Sequence, residues 1–501
     1  MLFILFYYII CDSVTFEDES ELTEDMVKEK MNNTVTEVFI KNINVIGYYA
    51  FQSCSNIEHV SFQEPIILES IYPYAFEGCT GLNSIIIPST VKKIRDYAFR
   101  GCTGLKSISI PSSVISIFWQ TFRGCTGLKS ISIPSSIQTI RSYAFADCSN
   151  LENVSFQEKS QLTTIYSGAF KKCTELKSIS IPSTVKTISD SAFEDCSNLE
   201  NVSFQESSIL TAIEHDTFLR CVSLKSISIP SSVETIGQAA FKDCSNLENV
   251  SFQESSNLTT IEFFVFLYCK SLKLVSIPSS VQTIKAQAFK DCSNLENVSF
   301  QEPSILTTIE KSIFDGCILL KSISIPSSIK YFNDYCFYNC SSLENITFEE
   351  ESNLTIIGNS SFYGCSKLES ISIPSSVLEI GNKAFYNCSS LENITFEEES
   401  NLTIIGNSSF YGCSKLESIS IPLLVSEIGN EAFYNCSNLE NITFEEESNL
   451  TITGNNTFSY CVNLRTIKLP HQLKEISSKS FEGCNELKSI MILSNISKIQ
   501  E

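Results

Sequence analysis

The chain has 501 residues, with 57 acidic against 35 basic side chains, a formal charge of −22 and a pI near 4.7. That balance excludes nucleic acid as a partner, because a phosphate backbone demands a basic face, and it disfavours adhesion to anionic lipid. Hydrophobic residues make up 43%, enough for a folded core, and 35 Phe against one Trp indicate that a single Phe position has been copied.

Residues 1–10, Met-Leu-Phe-Ile-Leu-Phe-Tyr-Tyr-Ile-Ile, form an apolar run too short for a bilayer, which needs roughly 20 residues. Its length matches the apolar stretch of a secretory signal, and Cys11 and Ser13 are small residues before a cut, so residues 1–13 are expected to be a signal peptide. Secretion or cell-surface display follows, with a cytoplasmic placement as the alternative. No later stretch approaches membrane length, so no membrane-spanning segment is expected in the mature chain. Residues 14–35 are acidic and polar, with Glu17, Asp18, Glu19, Glu21, Glu24 and Asp25, and are expected to cap the N-terminal end. The first strand is read at Val38-Phe39-Ile40, leading into Ile43 and Ile46.

Over residues 36–493 one unit recurs. Nineteen of the 21 cysteines, from Cys54 through Cys102, Cys125, Cys148 and Cys269 to Cys484, stand 23 or 25 residues apart, and from Cys125 onward the two spacings alternate. The period falls in the leucine-rich-repeat range of roughly 20–29 residues. A short unit reads Leu105-Lys-Ser-Ile-Ser-Ile-Pro-Ser-Ser-Val114, then Ile117, Phe122 and Cys125. A long unit reads Leu247-Glu-Asn-Val-Ser-Phe-Gln-Glu-Ser-Ser-Asn-Leu258, then Ile261, Phe266 and Cys269. Residues 337–374 recur unchanged at 385–422, an offset of 48, so the pair is the unit of growth.

Within a unit, Leu-x-x-Ile-x-Ile alternates with period two, which predicts a short strand with Ile108 and Ile110 inward and Ser107 and Ser109 outward. Pro111 has no N–H to donate and ends the strand. Ala98-Phe99-Arg-Gly-Cys102 spaces its inward residues like one helical turn. Some 24 residues cannot bury a core alone, so the units must stack. The expected interior includes Phe99, Phe122, Phe145, Phe266, Cys102, Cys125, Cys148 and Cys269. The fold predicted is an α/β-type repeat solenoid, a leucine-rich-repeat horseshoe or arc of about 19 or 20 coils. Its parallel sheet is expected on the concave side and short helical or irregular turns on the convex side. Leu487 to Ile492 supplies a last strand, and 494–501, with Ile496 and Ile499, reads as a partial repeat or cap.

The unit Leu-x-x-Ile-x-Ile-Pro-Ser-Ser-Val-x-x-Ile-x-x-x-Ala-Phe-x-x-Cys closely resembles the Treponema-type, BspA-like subclass of leucine-rich repeats, over roughly residues 36–499. The resemblance implies a microbial surface or secreted protein, an antigen or adhesin, with host extracellular-matrix proteins among its partners.

The cysteine ladder admits three readings. One Cys per coil gives neither a Cys-x-x-Cys pair nor clustered His, which argues against a metal. A disulfide framework requires adjacent rungs to meet a narrow geometry. The simplest reading is a column of buried free thiols, although such thiols sit awkwardly with an oxidising compartment. Cys336 replaces the Ala seen at Ala144 in most units. The three histidines, His59, His215 and His471, fall in different repeats, and no hydrolase, metalloprotease or phosphate-loop motif occurs, so no enzyme and no cofactor are expected. The acidic runs Glu349–Glu351, Glu397–Glu399 and Glu445–Glu447 lie in turns of long units. They read as a solvated edge, since the alternating Asp/Asn/Gly pattern of calcium loops is missing.

Sequons at Asn257, Asn353, Asn359, Asn401, Asn407, Asn449 and Asn455 are candidate glycan sites in a secreted chain, making it a glycoprotein. The candidate ligand-binding surface is the concave face. Its columns comprise Ser107, Ser109, Ser130, Ser132, Asn153, Ser155, Ser178, Ser180, Asn201, Ser203, Asn345, Thr347, Ser370, Ser372, Asn441 and Thr443. These groups hydrogen-bond a protein or glycan but lack the Trp, Tyr and Arg anchors of tight interfaces. The function read from the sequence is non-enzymatic protein binding or cell adhesion. The alternatives are a structural or decoy coat protein without a specific ligand and an intracellular scaffold.

Overall fold

Strand Asp12–Glu17 lies parallel to Val35–Lys41, which in turn pairs with His59–Gln63. The computed structural model describes residues 12–492 and 496–500, so the expected leader 1–13 lies outside the description except for Asp12 and Ser13. The chain divides into two compact units, Met1–Val233 and Glu234–Glu501. Each is a parallel β-solenoid. Among the described residues, long strands number ten in the first unit and eleven in the second, about 21 turns in all. This exceeds the cysteine-based count because Asp12–Glu17, ahead of the first ladder cysteine, is already a rung.

Every coil carries two strands. In the first unit the long strand Ser178–Ile181 pairs with Asn201–Phe204, residue for residue, and the short strand Thr187–Ile188 pairs with Ala212–Ile213. In the second unit Ser370–Ile373 pairs with Asn393–Phe396, and Glu379–Ile380 with Ile404–Ile405. The alternation is strict, with Ile179 and Ile181 buried and Ser178 and Ser180 exposed. A one-residue slip would turn Ile outward and Ser into the core, so the burial pattern fixes the register.

Helix is confined, among the described residues, to Glu24–Lys30, capped by Thr23, whose hydroxyl accepts from the Met26 N–H at 3.4 Å. Val27 anchors this helix in the core. The Ala-Phe-x-x-Cys segments are irregular turns instead. Tyr97 and Gly101 flank Phe99 with φ of 59° and 69°, a left-handed geometry that stops helix propagation. Alternate N–H groups then leave the coil. Phe99 donates to the Thr121 carbonyl at 2.9 Å and Gly101 to that of Arg123 at 2.8 Å, while Arg100 turns back to Tyr97 at 3.0 Å. The turn limb is therefore stitched alternately to its neighbour and to itself.

The interior is a set of columns. Phe rings stack face to face, as in Phe170–Phe193 at 5.3 Å and 3° in the first unit and Phe337–Phe362 at 5.3 Å and 5° in the second. Phe99, Phe122, Phe145 and Phe266 are all buried in these columns. Beside them run the cysteines. The Phe122 carbonyl accepts from the Cys125 N–H of its own coil at 3.2 Å and from the Cys148 Sγ of the next coil at 3.1 Å. Phe99, Phe241 and Phe385 accept Sγ bonds in the same way from Cys125, Cys269 and Cys413 at 3.1–3.2 Å. A thiol suits the position because it is small and apolar yet carries a weak donor for a buried carbonyl.

All twenty described cysteines are free. Burial pushes the Cys102 and Cys148 thiols up to about 12. Only Cys54 and Cys484 are half-buried. In native protein at pH 8 a disulfide reagent is therefore expected to label these two among the described thiols, and the rest only on unfolding. Rapid native labelling of the whole ladder would overturn the buried column.

Candidate binding face

The long strands present one flat face in each unit. In the first unit Ser107, Ser109, Ser130, Ser132, Asn153, Ser155, Ser178, Ser180, Asn201 and Ser203 are exposed on it; in the second, Asn345, Thr347, Ser370, Ser372, Asn441 and Thr443 are. Register lines them up. Ser130 stands opposite Asn153 and Ser132 opposite Ser155, and Ser418 opposite Asn441 and Ser420 opposite Thr443. Rungs follow at about 4.8 Å.

The edge of this face is charged. In the first unit Glu200 pairs with Lys225 at 2.6 Å, which lowers the Glu200 pKa through that hydrogen bond. In the second, Glu248 pairs with Lys273 at 2.7 Å and Glu296 with Lys321 at 3.0 Å. Further on, Glu369 and Glu417 occupy the lysine positions, so the edge through Glu344, Glu369, Glu392 and Glu417 carries more acid, with Glu392 paired to Lys415 at 3.1 Å. The acidic turns are partly committed elsewhere. Glu349 and Glu397 accept the N–H groups of Ser327 and Ser375 at 3.1 and 2.9 Å, the role Gln157 and Gln205 play for Ser135 and Ser183 in the first unit. No group of three or more His, Cys, Asp or Glu is placed to hold a metal among the described residues.

The sequon asparagines fall into classes. The Nδ2 atoms of Asn353 and Asn401 donate to the carbonyls of Ser327 and Ser375 at 3.0 and 3.1 Å. Asn359, Asn407 and Asn455 instead use Oδ1, accepting the N–H groups of Asn382, Asn430 and Ser478 at 2.8, 2.7 and 3.2 Å. Asn449 Oδ1 accepts from Gln472 at 3.5 Å, and Asn257 is exposed. The Oδ1 ladder went unread in the sequence, although Gly-Asn recurs at 358, 381, 406, 429 and 454. Glycine is needed there: a Cβ on Gly454 would lie 2.2 Å from the Asn430 nitrogen.

Two further features escaped the sequence reading. Tyrosines stack on the turn limb, Tyr49–Tyr74–Tyr97 at 4.9 and 4.4 Å in the first unit and Tyr363–Tyr386–Tyr411 at 4.8 and 4.5 Å in the second. The strand face of the first unit also holds a cavity of about 460 Å³ at Glu37, Phe39, His59, Ile66, Ile86 and Pro88. His215 lies in another coil of that unit and His471 in the second unit, so no histidine pair forms. Among the described residues no helix is long and apolar enough to cross a membrane.

Parallel two-strand coils with a Phe–Cys interior and a Leu-x-x-Ile-x-Ile face define a leucine-rich-repeat protein. The family model for the BspA type leucine rich repeat region matches residues 5–104, 69–200, 163–296, 259–392 and 379–501, and the chain belongs to that family. A leucine-rich repeat protein from Bacteroides ovatus is 32% identical, with a TM-score of 0.52, over 68% of this chain and 79% of that one. The pneumococcal vaccine antigen PcpA is 20% identical over 73% and 89%, with a TM-score of 0.40. A leucine rich cell surface protein from Faecalibacterium prausnitzii is 23% identical over 84% and 90%, with a TM-score of 0.35. No curated protein matches the chain.

Proposed function

We propose that this is a non-enzymatic binding protein, secreted or displayed at a cell surface, whose strand face engages a protein or glycan ligand, host extracellular-matrix proteins included. The observation that carries the reading is the pair of outward columns, exposed hydroxyls and amides held in fixed register on each unit. A sheet whose register is set by its core loses little conformational entropy on binding. Small polar groups without aromatic anchors give weak individual contacts, and repetition at a constant rung spacing sums them into avidity.

The test replaces Ser370, Ser372 and Ser418 with Glu and compares binding to arrayed matrix proteins and glycans. Each substitution is at an exposed position, so circular dichroism is expected to stay unchanged. Binding should fall by about tenfold or more, through repulsion and lost hydrogen bonds. Undiminished binding would remove the polar columns from the reading.

A further inference from the structure

We infer that the first unit carries a discrete docking site for an extended peptide that presents an aliphatic or aromatic side chain next to a lysine or arginine. The inference deepens the proposed function and rests on it in treating the strand face as the recognition surface.

Copying explains why outward positions conform to Ser, Asn or Thr; it does not explain departures. In the first unit two occur in one column. Phe39 stands opposite Ser61, and Ser61 lies on the same strand as Val60, the partner of Ile85. The outward residue after Ile85 is Ile86, in register with Ser109 on the next rung. Ile86 is 79% exposed. Nothing in the fold requires an Ile there, since the same column tolerates Ser at 109 and 132. Ile86 is exposed and Phe39, Ile66 and Pro88 are half-buried, and apolar groups gathered around a concavity mark a binding site.

The shape limits what fits. Phe39 and Ile86 lie two rungs apart, about 10 Å between their strands, with only Ser61 between them. The cavity lies over Ser61, with Ile66 and Pro88 on its border. A volume of about 460 Å³ suits a residue and its neighbours, not a whole domain. The adjacent column sets the charge. Glu37 is half-buried, stands opposite His59, and has no cationic partner among the described residues. A carboxylate without a cationic partner leaves room for one on a ligand. The chain's net charge of −22 steers basic ligands toward it. Ser61 and Ser84 offer hydroxyls to a peptide backbone lying across the sheet.

The experiment selects a phage-displayed random heptapeptide library on the immobilised full chain, then measures the enriched peptides on wild type, Ile86→Ser and Glu37→Gln. Ile86→Ser installs a residue the column already carries, so folding is preserved and circular dichroism verifies it. The expected peptides share an apolar residue next to Lys or Arg and lose about tenfold or more in affinity on Ile86→Ser. Glu37→Gln should weaken them and flatten their salt dependence. No enrichment, enrichment without the apolar–basic pair, or equal affinity for wild type and Ile86→Ser would overturn the site. The Ser370, Ser372 and Ser418 substitutions separate the two readings. If they abolish matrix or glycan binding while no peptide is selected, only the docking site falls. If peptides bind through Ile86 while array binding is untouched by them, the polar columns fall and the docking site stands.

Discussion

Titrated from pH 8 to pH 11, each unit is expected to lose its structure in one steep step. The window opens at the ordinary thiol value of 9.0 and extends toward the value near 12 to which burial drives Cys102 and Cys148. Cys125, Cys269, Cys365 and Cys436 are raised by the same burial, reinforced by neighbouring thiols. Below pH 9 both folded and unfolded chains keep the proton, and the stability is fully present. Above it the unfolded chain ionises while the folded chain cannot, so stability falls as pH rises. Each buried thiol removes about 1.4 kcal/mol per pH unit in that range. A column adds these slopes, and a domain-scale stability of roughly 5–15 kcal/mol is exhausted within about one to two pH units. Circular dichroism against pH checks the midpoint, and Cys→Ala at successive rungs should make the transition shallower. A native spectrum held to pH 11 while the thiols ionise near 9 would show that the column is open to water.

Phe266→Ala should cost the second unit about 3–5 kcal/mol, the range for removing a buried aromatic ring. The ring is fully buried between Phe241 at 5.5 Å and Phe289 at 5.1 Å. Its carbonyl also receives the Cys269 N–H at 3.0 Å and the Cys292 Sγ at 3.1 Å. Truncation therefore loosens both faces of one coil. Because a repeat array is held together by nearest neighbours, the loss should appear as a broadened or divided urea transition, not merely an earlier one. Phe266→Leu should recover part of the loss. A cost below about 1 kcal/mol would contradict the stacked interior.

How far the sequence spoke depended on whether a residue's role was set inside its own coil. Ile179 and Ile181 against Ser178 and Ser180 carry their strand in a local alternation, and Cys spacing marks each coil, so period and inward faces were legible. Asp12–Glu17 was not, because it lacks Pro and Cys and its inward residues are only Val14 and Phe16. The single-turn spacing of Phe99 and Cys102 left a helical and an irregular turn both open. The left-handed Tyr97 and Gly101 prevent a helix, and the coil-to-coil bonds that hold them are invisible in a linear reading. Phe39 and Ile86 stood in plain view as departures, but their meeting across Ser61 required the register. In the Asn359, Asn382 and Asn407 ladder, Asn359 and Asn407 read only as sequons and Asn382 carried no signal, since acceptance by Oδ1 emerges from stacking.

The thiol bonds have a consequence for heredity. The ladder thiols reach back to the coil immediately before, as Cys388 does to Phe362 and Cys413 to Phe385 at 3.1 and 3.2 Å. Unequal crossing-over that inserts or deletes 48 residues, the offset of the exact repeat, recreates both junctions it disrupts. Copy number is therefore open to selection without a compensating mutation, and alleles differing by that increment should melt alike while differing in reach.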